Sequence, residues 1–114
     1  MALARKLNLK PGMKARVVGK PAGVDLSDVA VSPGGDAVIV FVRTLAEVDA
    51  KAGPAIEAAK DDRIAWLIYP KAGKLDTDLN RDILWRHLLK KNIEGVRQVA
   101  IDDTLSAMRF RPKT

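Results

Sequence analysis

Two uninterrupted apolar runs, Ala37-Val38-Ile39-Val40-Phe41-Val42 and Ile64-Ala65-Trp66-Leu67-Ile68-Tyr69, constrain the fold more than anything else in the chain. Neither alternates with polar residues, so neither suits a sheet with one face in water. Both read as strands covered on both faces. Between them Thr44 and Glu47 stand in a T-x-x-E capping box, in which the hydroxyl accepts from the Glu47 amide and the carboxylate reaches back to the Thr44 amide, so a helix starts there. Pro54 interrupts that helix near Gly53 before Ala55–Ala59 completes it, because proline lacks the N–H and crowds the preceding turn. A buried strand, a helical stretch and a second buried strand make a β-α-β unit.

The flanks extend this pattern. Leu3–Leu7 suits a short helix ended by Pro11-Gly12, and Lys14–Val18 reads as a first strand. Two turn clusters, Gly19–Gly23 and Ser32–Gly35, bracket Val24–Val31, which suits a short helix within a crossover. Asp76, Thr77 and Asp78 precede a helix expected over Leu79–Lys91, where they would cap free amides and favour the positive end of the dipole. Leu79, Ile83, Leu84, His87 and Leu88 share one broad face of that helix, and Trp85 with Leu89 forms a second apolar stripe. Val96, Val99 and Ile101 suggest a further strand, Asp102–Ser106 a turn, and Ala107–Arg111 a last strand with Met108 and Phe110 on one side and Arg109 and Arg111 on the other. The expectation is an α/β domain over residues 1–114 with residues 1–12 as a basic lead-in. Its form would be three-layer and Rossmann-like, a mostly parallel sheet of about five strands closed by a C-terminal antiparallel hairpin. Ligands of such sheets sit at the carboxyl ends of the strands, which directs attention to Gly19–Gly23, Val42–Leu45 and Pro70–Asp78.

With 114 residues, a chain of this size buries roughly two-thirds of its unfolded surface, enough for one core. Cysteine is absent, which excludes disulfides and thiolate-ligated metals. No apolar run approaches the roughly 18 residues of a membrane span, and the start lacks a signal peptide's apolar core, so a cytoplasmic protein is expected. The net charge of +6 lies in one place: Arg5, Lys6, Lys10, Lys14, Arg16 and Lys20 face no acid before residue 21, and the remaining 14 basic and 14 acidic residues cancel. That segment is solvated or sits on phosphates. No aromatic residue interleaves it, so base stacking has no support there.

Leu7-Asn8-Leu9-Lys10-Pro11-Gly12-Met13-Lys14 resembles the lead-in to the first strand of class I methyltransferases. In that family an acidic residue and a Gly-x-Gly-x-Gly turn follow, and the resemblance implies an S-adenosylmethionine pocket there. Laid over this chain, the acid falls on Val17 and the glycines on Gly19, Pro21 and Gly23. Valine offers no acceptor, and Pro21 sets a ring where bare backbone should approach a ligand. The family's second and third strands have no room between Val18 and Ala37. Leu-x-Leu-Lys-Pro-Gly, Phe41-Val42-Arg43, Tyr69-Pro70-Lys71, Thr77-Asp78-Leu79 with Arg81-Asp82, and Ile101-Asp102-Asp103-Thr104 together resemble a bacterial domain-of-unknown-function family with a degenerate methyltransferase-like core. The resemblance implies kinship, not activity.

Catalytic patterns are weak. Asp76-x-Asp78-x-Asn80 begins like a calcium loop but has Arg81 at the glycine position and His87 at the glutamate position. His87 is the only imidazole, and no nucleophile pattern points to it; Ser27, Ser32 and Ser106 read as turn or cap residues. Gly19–Gly23 is not a Walker loop. The expectation is a non-catalytic module, with no cofactor or metal, that binds a protein partner or a small acidic ligand. Tyr69-Pro70-Lys71 through Arg81-Asp82 is its best surface, and Gly19, Gly23, Arg43, Lys71, Lys74, Thr77, Asp78 and Arg81 are the candidate ligand residues. Trp85 and Leu89 are the candidate self-association surface. The alternatives are nucleic-acid binding through Arg5, Lys6, Lys10, Lys14, Arg16, Lys20, Arg109 and Arg111, a remnant S-adenosylmethionine-dependent methyltransferase, and a remnant enzyme using His87 or Asp78.

Overall fold

The computed structural model describes residues 6–9, 12–20, 24 and 29–113. Six strands form one sheet: β1 (Lys14–Val18), β2 (Ala30–Val31), β3 (Ala37–Phe41), β4 (Ala65–Pro70), β5 (Ile93–Ala100) and β6 (Leu105–Pro112). Among the described residues three helices accompany them: α1 (Leu45–Lys51), α2 (Gly53–Lys60) and α3 (Arg81–Leu89). The order across the sheet is β2-β1-β3-β4-β6-β5. β1 is parallel to β2 and β3, and β3 to β4, whereas β6 runs antiparallel to both β4 and β5.

Alternation along the strands sorts the core into two halves. Val38, Val40, Ala65, Leu67, Tyr69, Met108 and Phe110 pack against Val48 of α1, Ala55, Ala58 and Ala59 of α2, and Leu84 and Leu88 of α3. On the opposite face Ala15, Ile39, Phe41, Trp66, Ile68 and Ala107 pack against Leu7 and Val29, with Leu9, Met13 and Val24 at the margin. Both apolar runs are therefore covered on both sides, as their composition requires. The Trp66 indole is 0% exposed, and its N–H donates to the Leu7 carbonyl at 2.9 Å, which satisfies its one polar atom and ties Leu7 to the sheet.

The expected three-layer, mostly parallel Rossmann-like sheet of about five strands is corrected. Among the described residues the sheet is six-stranded and mixed, and the helices α1, α2 and α3 lie on one face. The physical reason lies in the connections. A mostly parallel sheet extends by helical crossovers from strand to strand. Here β2 reaches β3 through the loop Ser32–Asp36, and α3 leads into an antiparallel hairpin. The hairpin turn closes on Asp102, whose carboxylate accepts from the Thr104 and Leu105 amides at 2.7 Å each.

Local expectations fare unevenly. Thr44 caps α1 by accepting from the Glu47 amide at 3.2 Å, but the returning carboxylate takes the Arg43 amide, not that of Thr44. The break at Pro54 occurs as expected, with α1 and α2 meeting at Ala52. Helix α3 begins at Arg81 and not at Leu79, because Asn80 caps it by accepting from the Ile83 amide at 2.8 Å; it ends at Leu89, short of Lys91. Ala30–Val31 is a strand where a helix was expected across Val24–Val31; residues 25–28 of that stretch, like residues 3–5 of the expected first helix, lie outside the described residues.

The loop that carries the chain past the start of β1 is held close: the Ser32 amide donates to Ala15 O at 2.9 Å. A Cβ at Gly35 would stand 2.7 Å from both the Ala15 carbonyl carbon and the Lys14 carbonyl oxygen, backbone atoms that cannot swing aside, whereas Gly34 has open space. Gly35→Ala is therefore expected to cost about 2 kcal/mol in urea unfolding, and Gly34→Ala less than about 0.5 kcal/mol. Equal effects would show that the crossing is not tight.

Candidate functional site

Of the turn after β1, Gly19 and Lys20 are among the described residues. Gly19 has φ +74°, and a Cβ there would meet the Phe41 carbonyl at 2.9 Å and the Lys51 side chain at 3.7 Å. Lys51 is held over that turn by Glu47 at 3.3 Å, and Glu47 also lies 3.7 Å from Arg43. Gly23, Pro21, Arg5 and Lys10 lie outside the described residues.

Thr77 and Asp78 are committed to structure. The Asp78 carboxylate accepts from the Leu45 amide at 2.8 Å, so it serves α1 and not the helix that follows it in sequence. The Thr77 hydroxyl donates to the Arg43 carbonyl and accepts from the Leu79 amide at 3.0 Å. The Arg43 guanidinium reaches the Leu75 carbonyl at 3.3 Å. These bonds staple the loop after β4 onto the turn after β3. Within this loop Leu75 and Asp76 have φ of +53° and +54°, uncommon for a leucine and more readily adopted by an aspartate.

Lys71 and Arg81 do come together. They line a hollow of about 280 Å³ with Tyr69, Ala72, Asn80, Asp82, Gln98 and Ser106. Strand β4 delivers Tyr69 and then Lys71 at its carboxyl end, and Asn80 sets the start of α3 beside them. Tyr69 pairs with Ser106 in register, so both side chains stand on the helical face of the sheet. Ser106 is 5% exposed, and its hydroxyl makes no side-chain hydrogen bond among the described residues. The Tyr69 oxygen accepts from the Gln98 amide at 3.0 Å, which leaves the phenolic hydrogen to donate. Burial pushes the Tyr69 phenol above its ordinary 10.0; Arg81 opposes this and Asp82 adds to it, so the phenol stays protonated at neutral pH. Lys74 lies exposed in the turn before α3 and does not line the hollow.

The sequence reading missed Gln98 and placed Ser106 only as a turn residue. Ser106 sits in β6, and its neighbours come from pairing that spacing along the chain does not reveal. Trp85 is exposed, as a surface stripe requires, but it leans on β5 and not away from the fold. Leu89 at the end of α3 is partly buried.

The described basic residues do not gather on one face. Lys6 donates to the carbonyls of Ala100 and Ile101, Lys20 to that of Val24, and Arg111 pairs with Asp62 at 3.2 Å. Arg16 aligns with Val38 on the helical side, as does Lys14 two residues earlier, whereas Arg109 aligns with Trp66 on the other side. Arg97 lies directly opposite Arg109, and the Arg109 Nε is buried without a partner.

Among the described residues no three of His, Asp and Glu converge to hold a metal ion, and no helix is long and apolar enough to cross a membrane. No family model, no curated protein and no solved structure matches this chain.

His87 joins α3 to α1 by donating from Nε2 to Asp49 at 2.7 Å. That hydrogen bond holds the Asp49 carboxyl below its ordinary 3.8; desolvation, the next cause, works against it, and the charges of His87 and Lys91 work with it. Because the folded value is depressed, the contribution to stability exists above 3.8 and is lost as pH falls through the lower folded value. Asp49→Asn should therefore destabilise the protein at neutral pH and converge with wild type in strong acid. Urea unfolding followed down through the carboxylate range measures this, and a gap that persists in acid would contradict it.

Proposed function

We propose that the chain is a non-catalytic binding module for a small acidic molecule, received in the hollow between Lys71, Ser106 and the start of α3. The observation that carries the reading is the Ser106 hydroxyl, nearly buried and without a side-chain partner, in a hollow that also offers the Tyr69 hydroxyl and two cations. The hydroxyl opens into the hollow, where an acceptor oxygen from a ligand would take its hydrogen bond. The first amides of α3 add partial positive charge to the same region. Asp82 is the one acid in the lining, and it lies 3.5 Å from Arg81, so Lys71 and Arg81 leave the balance positive. Support for a role without catalysis comes from Asp78 and His87, which are committed to the Leu45 amide and to Asp49.

Nucleic-acid binding keeps one specific observation in its favour, the facing Arg97 and Arg109 with the buried Arg109 Nε. Like charges directly opposite destabilise a strand pair unless an anion lies between them. That pair is on the other face of the sheet from the Ser106 hollow.

Inorganic phosphate is the probe. Calorimetric titration of the full chain should show binding that weakens about tenfold or more in Lys71→Ala and in Arg81→Ala, since each removes a charge-assisted contact. Lys74→Ala, outside the hollow, should change it less than about twofold. Binding that is indifferent to Lys71 and Arg81 would overturn the reading.

A further inference from the structure

A second hollow, of about 350 Å³, adjoins the first and shares Arg81, Asp82 and Gln98 with it. Its other walls are Trp85, Met108 and the β5 stretch Gly95-Val96-Arg97. Trp85 is 40% exposed and Val96 47%, an apolar pair beside charged residues at the edge of the sheet.

The indole is held in place. A Cβ at Gly95 would stand 2.7 Å from Met108 Sδ and 2.9 Å from Trp85 Cδ1, so only glycine lets the ring and the thioether close on the strand. The β5–β6 register is irregular between Gly95 and Arg97, which marks a bulge at Val96. One edge of the indole is thus fixed against β5 while much of the ring remains open. A rigid, half-covered aromatic is a surface on which a second ring can stack with little further ordering of the protein.

Resting on the acid-binding reading above, we propose that the ligand is a small planar aromatic acid, with its anionic group in the Lys71–Ser106 hollow and its ring against Trp85 and Met108. The apolar ring contact and the charged group belong to adjoining spaces, so one molecule carrying both chemistries fills the pair. Val96 and Met108 supply the remaining apolar wall.

Phenyl phosphate and inorganic phosphate, titrated separately into the full chain, test this. Phenyl phosphate should bind at least about tenfold more tightly and quench tryptophan emission, because Trp85 is open whereas Trp66 is fully buried. In Trp85→Ala the ratio of the two affinities should fall toward one. Gly95→Ala, which pushes the ring off the strand without removing it, should lower the same ratio and serves if the first variant does not fold. Equal affinities in wild type, with phosphate binding still lost in Lys71→Ala, would overturn the aromatic inference and leave the acid site standing. Loss of both ligands' binding from the wild type would overturn the two together. Sedimentation showing that Trp85→Ala converts a dimer to a monomer would also overturn it, since a second copy would then cover the ring.

Discussion

The burial of β4 on both faces is the constraint on which the rest of the structure depends. Every residue from Ala65 to Pro70 is withdrawn from water, and each such large side chain contributes about 1.5–3 kcal/mol when fully buried. The strand has to be covered above and below, and it has to be paired on both edges. β3 supplies a parallel edge and β6 an antiparallel one. The helices cover Leu67 and Tyr69, and Leu7 with its neighbours covers Trp66 and Ile68. The site is a consequence of this arrangement: where β4 emerges, Tyr69 is still buried, Lys71 has reached the surface, and the reversal at β6 brings Ser106 beside them.

Much of this was legible in the residues. The runs at Ala37–Val42 and Ile64–Tyr69 could only be doubly covered strands, Thr44 marked a helix start and Pro54 a helix break, because each rests on local chemistry that tertiary contacts reinforce. The layering was not legible. A helix's apolar stripe says that it packs on a sheet without saying on which face, so the side on which α1, α2 and α3 lie had to come from the connections. β2 was missed because Ala30 and Val31, both exposed, form too short a stretch to show any period. Asp78 was assigned to the wrong helix because capping residues are read from the sequence that follows them, whereas this one reaches back to Leu45.

The site divides in the same way. Lys71 and Arg81 stood out as charges at a strand end and a helix start. Gln98 and Ser106 did not, because their meeting with Tyr69 is fixed by antiparallel register across the hairpin. Gly19, which drew attention through its resemblance to a cofactor loop, lies close against the Phe41 carbonyl and the Lys51 side chain. Gly95 was the signal that could have been used: a glycine among β-branched strand residues marks a bulge or a close approach, and here it marks both.

The central claim is that an acidic group is received under the start of α3. Backbone amide chemical shifts of the labelled full chain, followed by NMR as phosphate is added, test it most directly. The account predicts saturable changes clustered at Lys71, Arg81, Asp82, Gln98 and Ser106. Changes confined to the basic segment before residue 21, or to Arg97 and Arg109 on the opposite face, would contradict it.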